Sequence, residues 1–228
     1  MRKYKLTRSK RKTLGIKINE DASLEVKAPI NISQEKIDEF VQSKEKWIAK
    51  HTKEILERYE IKKQFTLNYG GSVSVRGKPT EISRAKGEYA SYDHQKSKIY
   101  IPKIAKSPET IKLVIVKLYK LIAKNHINQR VSFFGREMNV NPTAVRITSA
   151  KTRWGSCSGK NSVNFSWRLI MADDETIDYV VVHELAHIKE HNHSPKFWNI
   201  VESIFPDYKK QKEKLKILSE KLSKEDWD

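Results

Sequence analysis

The chain has 228 residues, 38% hydrophobic and 32% charged, with a net charge of +17 and one cysteine, Cys157. That length can bury a sizeable core, no long polar tract interrupts the apolar pattern, and a single cysteine excludes an intrachain disulfide framework. The longest apolar runs, Leu113-Val114-Ile115-Val116 and Tyr179-Val180-Val181-Val182, fall far short of the ~20 residues of a membrane span, and no apolar stretch follows Met1-Arg2-Lys3-Tyr4-Lys5 as a secretory signal requires. A cytoplasmic protein without a membrane partner is expected.

The positive charge is uneven. The first 17 residues carry eight Lys/Arg and no acid, and residues 101–153 carry eleven against Glu109 and Glu137. Such segments suit a polyanion such as DNA, although a lysine-rich solvated surface has the same composition.

In chain order, Thr13–Asn19 and Ser23–Pro29 alternate apolar and polar residues around Glu20-Asp21, which predicts a β-hairpin. A helix from Ser33 runs through Phe40, Val41 and Trp47 towards Leu56. Asn68–Gly77 and Ser97–Pro102 return to strand character. Ser107-Pro108-Glu109 is a helix start, and Ile111, Val114, Ile115, Leu118, Leu121 and Ile122 follow as an apolar stripe, with Lys117, Lys120 and Lys124 on another face. Strands are expected at Ala144–Thr148 and Val163–Trp167. Asp173 or Asp174 caps a helix bearing Ile177, Val181, Leu185 and Ile188. Ser194-Pro195 opens another, with Phe197, Trp198, Val201, Ile204 and Phe205 on its apolar face, ended by Pro206, and Asp207 caps the last. The fold class is α+β: a β-rich N-terminal region with one long helix over 1–105, then helices packed on a small sheet over 106–228.

The chemistry lies in His183-Glu184-Leu185-Ala186-His187. Residues four apart share a helix face, so the two imidazoles project side by side and can hold one zinc ion, with Glu184 beside them as general base on a water. Zinc lowers the pKa of such a water towards about 7. A catalytic zinc has three protein ligands and an open position. His191, His193 and Glu202 are the candidates for the third. Three imidazoles in one straight row cannot converge on an ion, so the ligand is sought where the chain turns back. That ranks His193, in the loop before Ser194-Pro195, ahead of Glu202 and His191. Arg153 is a candidate to steady an oxyanion or to fix a loop beside the helix. Cys157 is either a buried thiol or a residue able to approach the metal.

Arg153-Trp154-Gly155-Ser156-Cys157-Ser158, Asn164-Phe165-Ser166-Trp167-Arg168-Leu169, the His-Glu-x-x-His segment and Asn192-His193-Ser194-Pro195-Lys196-Phe197-Trp198 together resemble the YgjP-type metal-dependent hydrolases, relatives of the SprT-like and WLM metallopeptidases among the zincins. Arg11-Lys12-Thr13-Leu14 and the segment from Val41 through Trp47-Ile48 extend the resemblance to the N-terminal half. It implies a zincin-like catalytic half, Zn2+ bound by His183, His187 and His193, Glu184 as general base, and a polypeptide substrate that pairs with the strand Val163–Trp167. Two alternatives stand beside a peptidase: a zinc hydrolase of another amide or ester, and a basic nucleic-acid-binding protein with a non-catalytic zinc site.

Overall fold

The computed structural model describes residues 2–227. These divide into two compact units, one of residues 2–65 with 222–226, the other of residues 66–221 with Trp227. The junction expected at 105/106 falls inside the second unit.

The first unit is built on a three-stranded sheet of β1 (Lys5–Ser9), β2 (Gly15–Ile18) and β3 (Leu24–Pro29), in the order β1-β3-β2. β2 and β3 form the expected antiparallel hairpin, with Ile16 opposite Val26 and Ile18 opposite Leu24. β1 runs parallel to β3 and was not anticipated. Only Leu6 in Lys5–Ser9 is apolar, and a short edge strand needs no more. Leu24, Val26 and Ala28 on one face of the sheet pack with Ile37, Val41 and Ile48 of the helices. The helix expected from Ser33 is two: α1 (Gln34–Ser43), capped by the Ser33 side chain, and α2 (Glu45–Gln64), separated at Lys44. Neither glycine nor proline marks the break, so the pattern reads through it.

The second unit holds two sheets and the remaining helices. β4 (Ser72–Val75), β5 (Lys78–Arg84), β6 (Ser91–Asp93) and β7 (Lys98–Ile101) are ordered β4-β5-β7-β6. β8 (Ala144–Thr148), β9 (Gly155–Cys157) and β10 (Ser162–Ser166) are ordered β8-β10-β9, with β10 parallel to β8 and antiparallel to β9. The long helix α3 (Pro108–Glu137) begins at a Ser107–Thr110 capping box. Its buried stripe is Ile111, Ile115, Leu118, Tyr119, Ala123, Ile127, Val131 and Phe134. Leu121 lies off that stripe, 55% exposed, while Lys117, Lys120 and Lys124 face solvent as expected.

After β10 a 3-10 turn (Trp167–Met171) leads to Asp173, whose side chain accepts from Thr176 N and caps α4 (Asp174–Lys189). The tight β4–β5 turn holds the start of this helix. Arg76 and Gly77 both have positive φ, 51° and 73°. Any side chain at Gly77 would meet the Asp173 backbone at 2.9 Å, so glycine alone fits there. Arg76 N donates to Ile170 O, and its guanidinium grips Asp174 through two 2.6 Å bonds. α5 (Pro195–Ile204) and α6 (Tyr208–Ser223) follow. Among the described residues no helix is long and apolar enough to cross a membrane.

Candidate metal centre

α4 buries Ile177, Val180, Val181, Val182 and Leu185, and this anchors the helix in the core. Its last two turns carry His183, Glu184 and His187. The helix stops at Lys189, and the chain turns back through residues 190–193 to α5. That reversal brings His193 over the helix. One nitrogen of each of His183, His187 and His193 lies within 4.8 Å of the others, and the His183 and His193 Nε2 atoms are 3.2 Å apart. Neighbouring ligands about 2.05 Å from a tetrahedral ion are about 3.3 Å apart, so the nitrogens already stand near the edge of such a polyhedron. His191 is exposed beyond the helix end, and Glu202 is exposed on α5. Neither joins the group.

The surroundings favour a cation. His187 Nδ1 lies 3.2 Å from Glu190 O, which can only accept. The ring therefore donates from Nδ1 and leaves Nε2 with its lone pair, the arrangement a metal-ligating histidine uses. Burial pushes the His183 imidazole down to about 3, with His187 and His193 adding to the effect, and burial lowers His187 also. His183 and His187 thus stay neutral and keep their lone pairs available. His183 Nδ1 is buried without a hydrogen-bond partner. Aromatic rings fix the cluster: Phe197 packs 4.4 Å from His187 and 4.9 Å from His183, and Trp198 stacks on His193 at 5.7 Å and 25°. Trp198 in turn stacks on Tyr208, 4.9 Å away. The apolar spacing marked Trp198 as core; half-buried, it stands instead as a wall behind His193.

Glu184 is 5% exposed. Burial pushes its carboxyl up to about 8, against the opposing charge of Arg153. A carboxyl in that range can both take and return a proton near neutral pH. Gly155 makes room for it, because a Cβ at that position would lie 2.5 Å from Glu184 Oε1. Gly155 opens β9, an edge strand too short for alternation to reveal.

Cys157 lies on the same strand, outside the histidine group. Burial raises its thiol, with the Glu184 charge adding, so it stays protonated. The expectation that substrate pairs with Val163–Trp167 is corrected. β10 is bonded to β8 on one side and to β9 on the other, so both its edges are taken. Among the described residues β9 has one free edge.

The chain is similar over 43% of its length to the metallopeptidase zymogen abylysin of Pyrococcus abyssi, with 25% identity, 97% of that chain covered and a TM-score of 0.38. It is similar over 41% to the metallopeptidase zymogen jannalysin of Methanocaldococcus jannaschii, with 27% identity, 95% of that chain covered and a TM-score of 0.36. No curated protein matches. The sequence model of the YgjP-like metallopeptidase domain matches residues 12–217, nearly the whole chain. The chain therefore belongs to the YgjP-like metallopeptidase family and is a metal-dependent peptidase.

Proposed function

We propose that the chain hydrolyses peptide bonds with a zinc ion held by His183, His187 and His193 and with Glu184 as general base. The observation that carries this reading is the convergence of three imidazoles within 4.8 Å beside a buried carboxyl. An all-imidazole set suits zinc, and three ligands leave a coordination position open. When bound, zinc acidifies a water and polarises a carbonyl. Glu184 takes the proton of the attacking water and hands it to the leaving amine. Gly155 leaves room for that carboxylate, and Phe197 and Trp198 hold the imidazoles against rotation. An extended substrate adds to the free edge of β9, whose first residue touches Glu184. Elemental analysis of wild type and His193→Ala tests the site. About one zinc per chain in the wild type and a reduced content in the variant support it; zinc fully retained in the variant moves the third ligand elsewhere. No uptake by either protein, even after incubation with zinc, sinks the reading.

Affinity for DNA is a second property, favoured by the outer face of the first unit's sheet. Lys5, Glu25 and Lys17 form one row across its strands, and Thr7, Lys27 and Gly15 the next. The Arg11 guanidinium lies over Gly15. Four cations thus face one carboxylate. DNA retention that weakens steeply with salt, and less steeply in Lys17→Glu/Lys27→Glu, supports this property; retention identical in the two proteins refutes it.

A further inference from the structure

A cavity of about 370 Å³ opens on the second unit's small sheet, lined among others by Arg153, Gly155, Ser156, Asn164, Ser166 and Thr148. Successive residues of a strand face opposite sides. The missing Cβ of Gly155 points at Glu184, so Ser156 and its register partner Asn164 face away from α4. Arg146, the partner of Asn164 on β8, adds an exposed cation to that same face.

The lining is polar and without a carboxylate. Its neutral groups are largely occupied with one another: Asn164 Nδ2 donates to Ser156 Oγ at 3.3 Å, and Ser166 Oγ to Ala150 O at 2.7 Å. Arg153 is different. Among the described residues it makes no hydrogen bond or ion pair, and the charge it feels is that of Glu184. An exposed guanidinium fork bonded to no acid, at the wall of a concave polar surface, matches the two oxygens of a carboxylate. Gly155 belongs to both places, so the cavity and the catalytic glutamate lie on opposite sides of one edge strand.

We propose that this cavity is a specificity subsite for the carboxylate of an aspartate or glutamate side chain of the peptide substrate, with Arg153 as its anchor. The inference rests on the peptidase reading above. A peptide paired with β9 presents alternate side chains to the two faces of the sheet. One residue at a fixed distance from the scissile bond therefore meets Arg153, and its immediate neighbours do not.

The test is a mixture of synthetic peptides, half with free and half with amidated C-termini, incubated with zinc-loaded protein and read by mass spectrometry. Acidic residues should be enriched at one fixed position from the cut, equally in both halves, and Arg153→Glu should move the preference at that position to Lys or Arg. The best peptide and its Glu→Gln or Asp→Asn counterpart should differ in kcat/KM by about tenfold or more, as befits a charge-assisted hydrogen bond, and Arg153→Gln should bring the ratio near one. The ratio within each variant is the readout, since Arg153 also acts on Glu184. Binding of the same pair to Glu184→Gln protein, followed by fluorescence anisotropy, should repeat the ratio without turnover. Enrichment confined to free C-termini overturns the side-chain assignment in favour of the terminal carboxylate. Cleavage with no acidic preference, or a preference untouched by Arg153→Glu, overturns the subsite and leaves the peptidase reading standing. No cleavage of any peptide by the wild type overturns both.

Discussion

The two ends of α4 are both polar and partly buried, yet they are solved in opposite ways. At the N-terminal end every charge has a counter-charge. Arg76 holds Asp174 through two bonds, Arg130 holds Asp178 through two more at 2.5 and 2.7 Å, and His126 lies 3.4 Å from Asp174. At the C-terminal end three imidazoles converge with no acid among them, and a buried carboxyl, Glu184, stands next to the first in sequence. The first arrangement pairs its carboxylates with cations of the chain itself and locks the helix to α3 and to the β4–β5 turn. The second is a set of electron-pair donors placed to hold a cation. Buried polar groups of the first kind report architecture, and those of the second kind report chemistry.

The largest effects should come from the C-terminal end. Glu184→Gln should lower peptide hydrolysis by at least ~10²–10⁴-fold, the share of a general base, while zinc content by elemental analysis stays at wild-type level. Activity surviving this change would remove Glu184 from the mechanism. His193→Ala should weaken zinc binding by more than the ~10–100-fold that loss of an outer partner costs, read by competition with a chelator. Wild-type affinity would take His193 out of the site.

The contrast between the two ends was only half legible in the sequence. His183, Glu184 and His187 could be read because helical spacing alone puts them side by side. His193 could be singled out because Ser194-Pro195 marks the place where the chain turns back. The charge-paired end could not be read. Arg76, Arg130 and Asp178 are 48 or more residues apart in sequence, and only the docking of a hairpin turn and of α3 on α4 brings them together. A distant partner also hid β1, which pairs with β3 across the intervening hairpin; β9 was hidden because three residues are too few for alternation, and the break at Lys44 because no glycine or proline marks it.

At the charge-paired end, Asp178→Ala leaves the Arg130 guanidinium half-buried and unpaired. The expected cost is about 2–3 kcal/mol, below the 3–5 kcal/mol of a fully buried pair because Arg130 keeps some contact with water. A lower urea midpoint with unchanged zinc per folded chain is the expected pattern. Zinc loss in step with stability would mean that the two ends are not separable. Gly155→Ala acts in the reverse sense. The added Cβ displaces the Glu184 carboxylate, so hydrolysis should fall by up to about a hundredfold, the effect of a misplacement near 1 Å. Chelator competition should show zinc affinity little changed.

The smallest effect distinguishes two carboxylates one turn apart on α4. Burial pushes Asp174 up, but the hydrogen bond and charge of Arg76, with His126 and Arg130 behind them, outweigh it and bring the carboxyl below its ordinary value. Its contribution is therefore complete above the unfolded-state value of about 3.9 and is lost as pH falls through the folded-state value. Burial wins at Asp178, which ends above its ordinary value despite Arg130. There the sign reverses: ionisation carries a cost that acidification relieves. Urea midpoints measured between pH 5 and 3 should therefore fall less steeply in Asp174→Asn than in the wild type, and at least as steeply in Asp178→Asn. His183 and His187 are the same in all three proteins and drop out of the differences, whereas His126 loses part of its partner in Asp174→Asn. Parallel curves for Asp174→Asn and wild type would show that Arg76 contributes position at the head of α4 and no acid-sensitive stability.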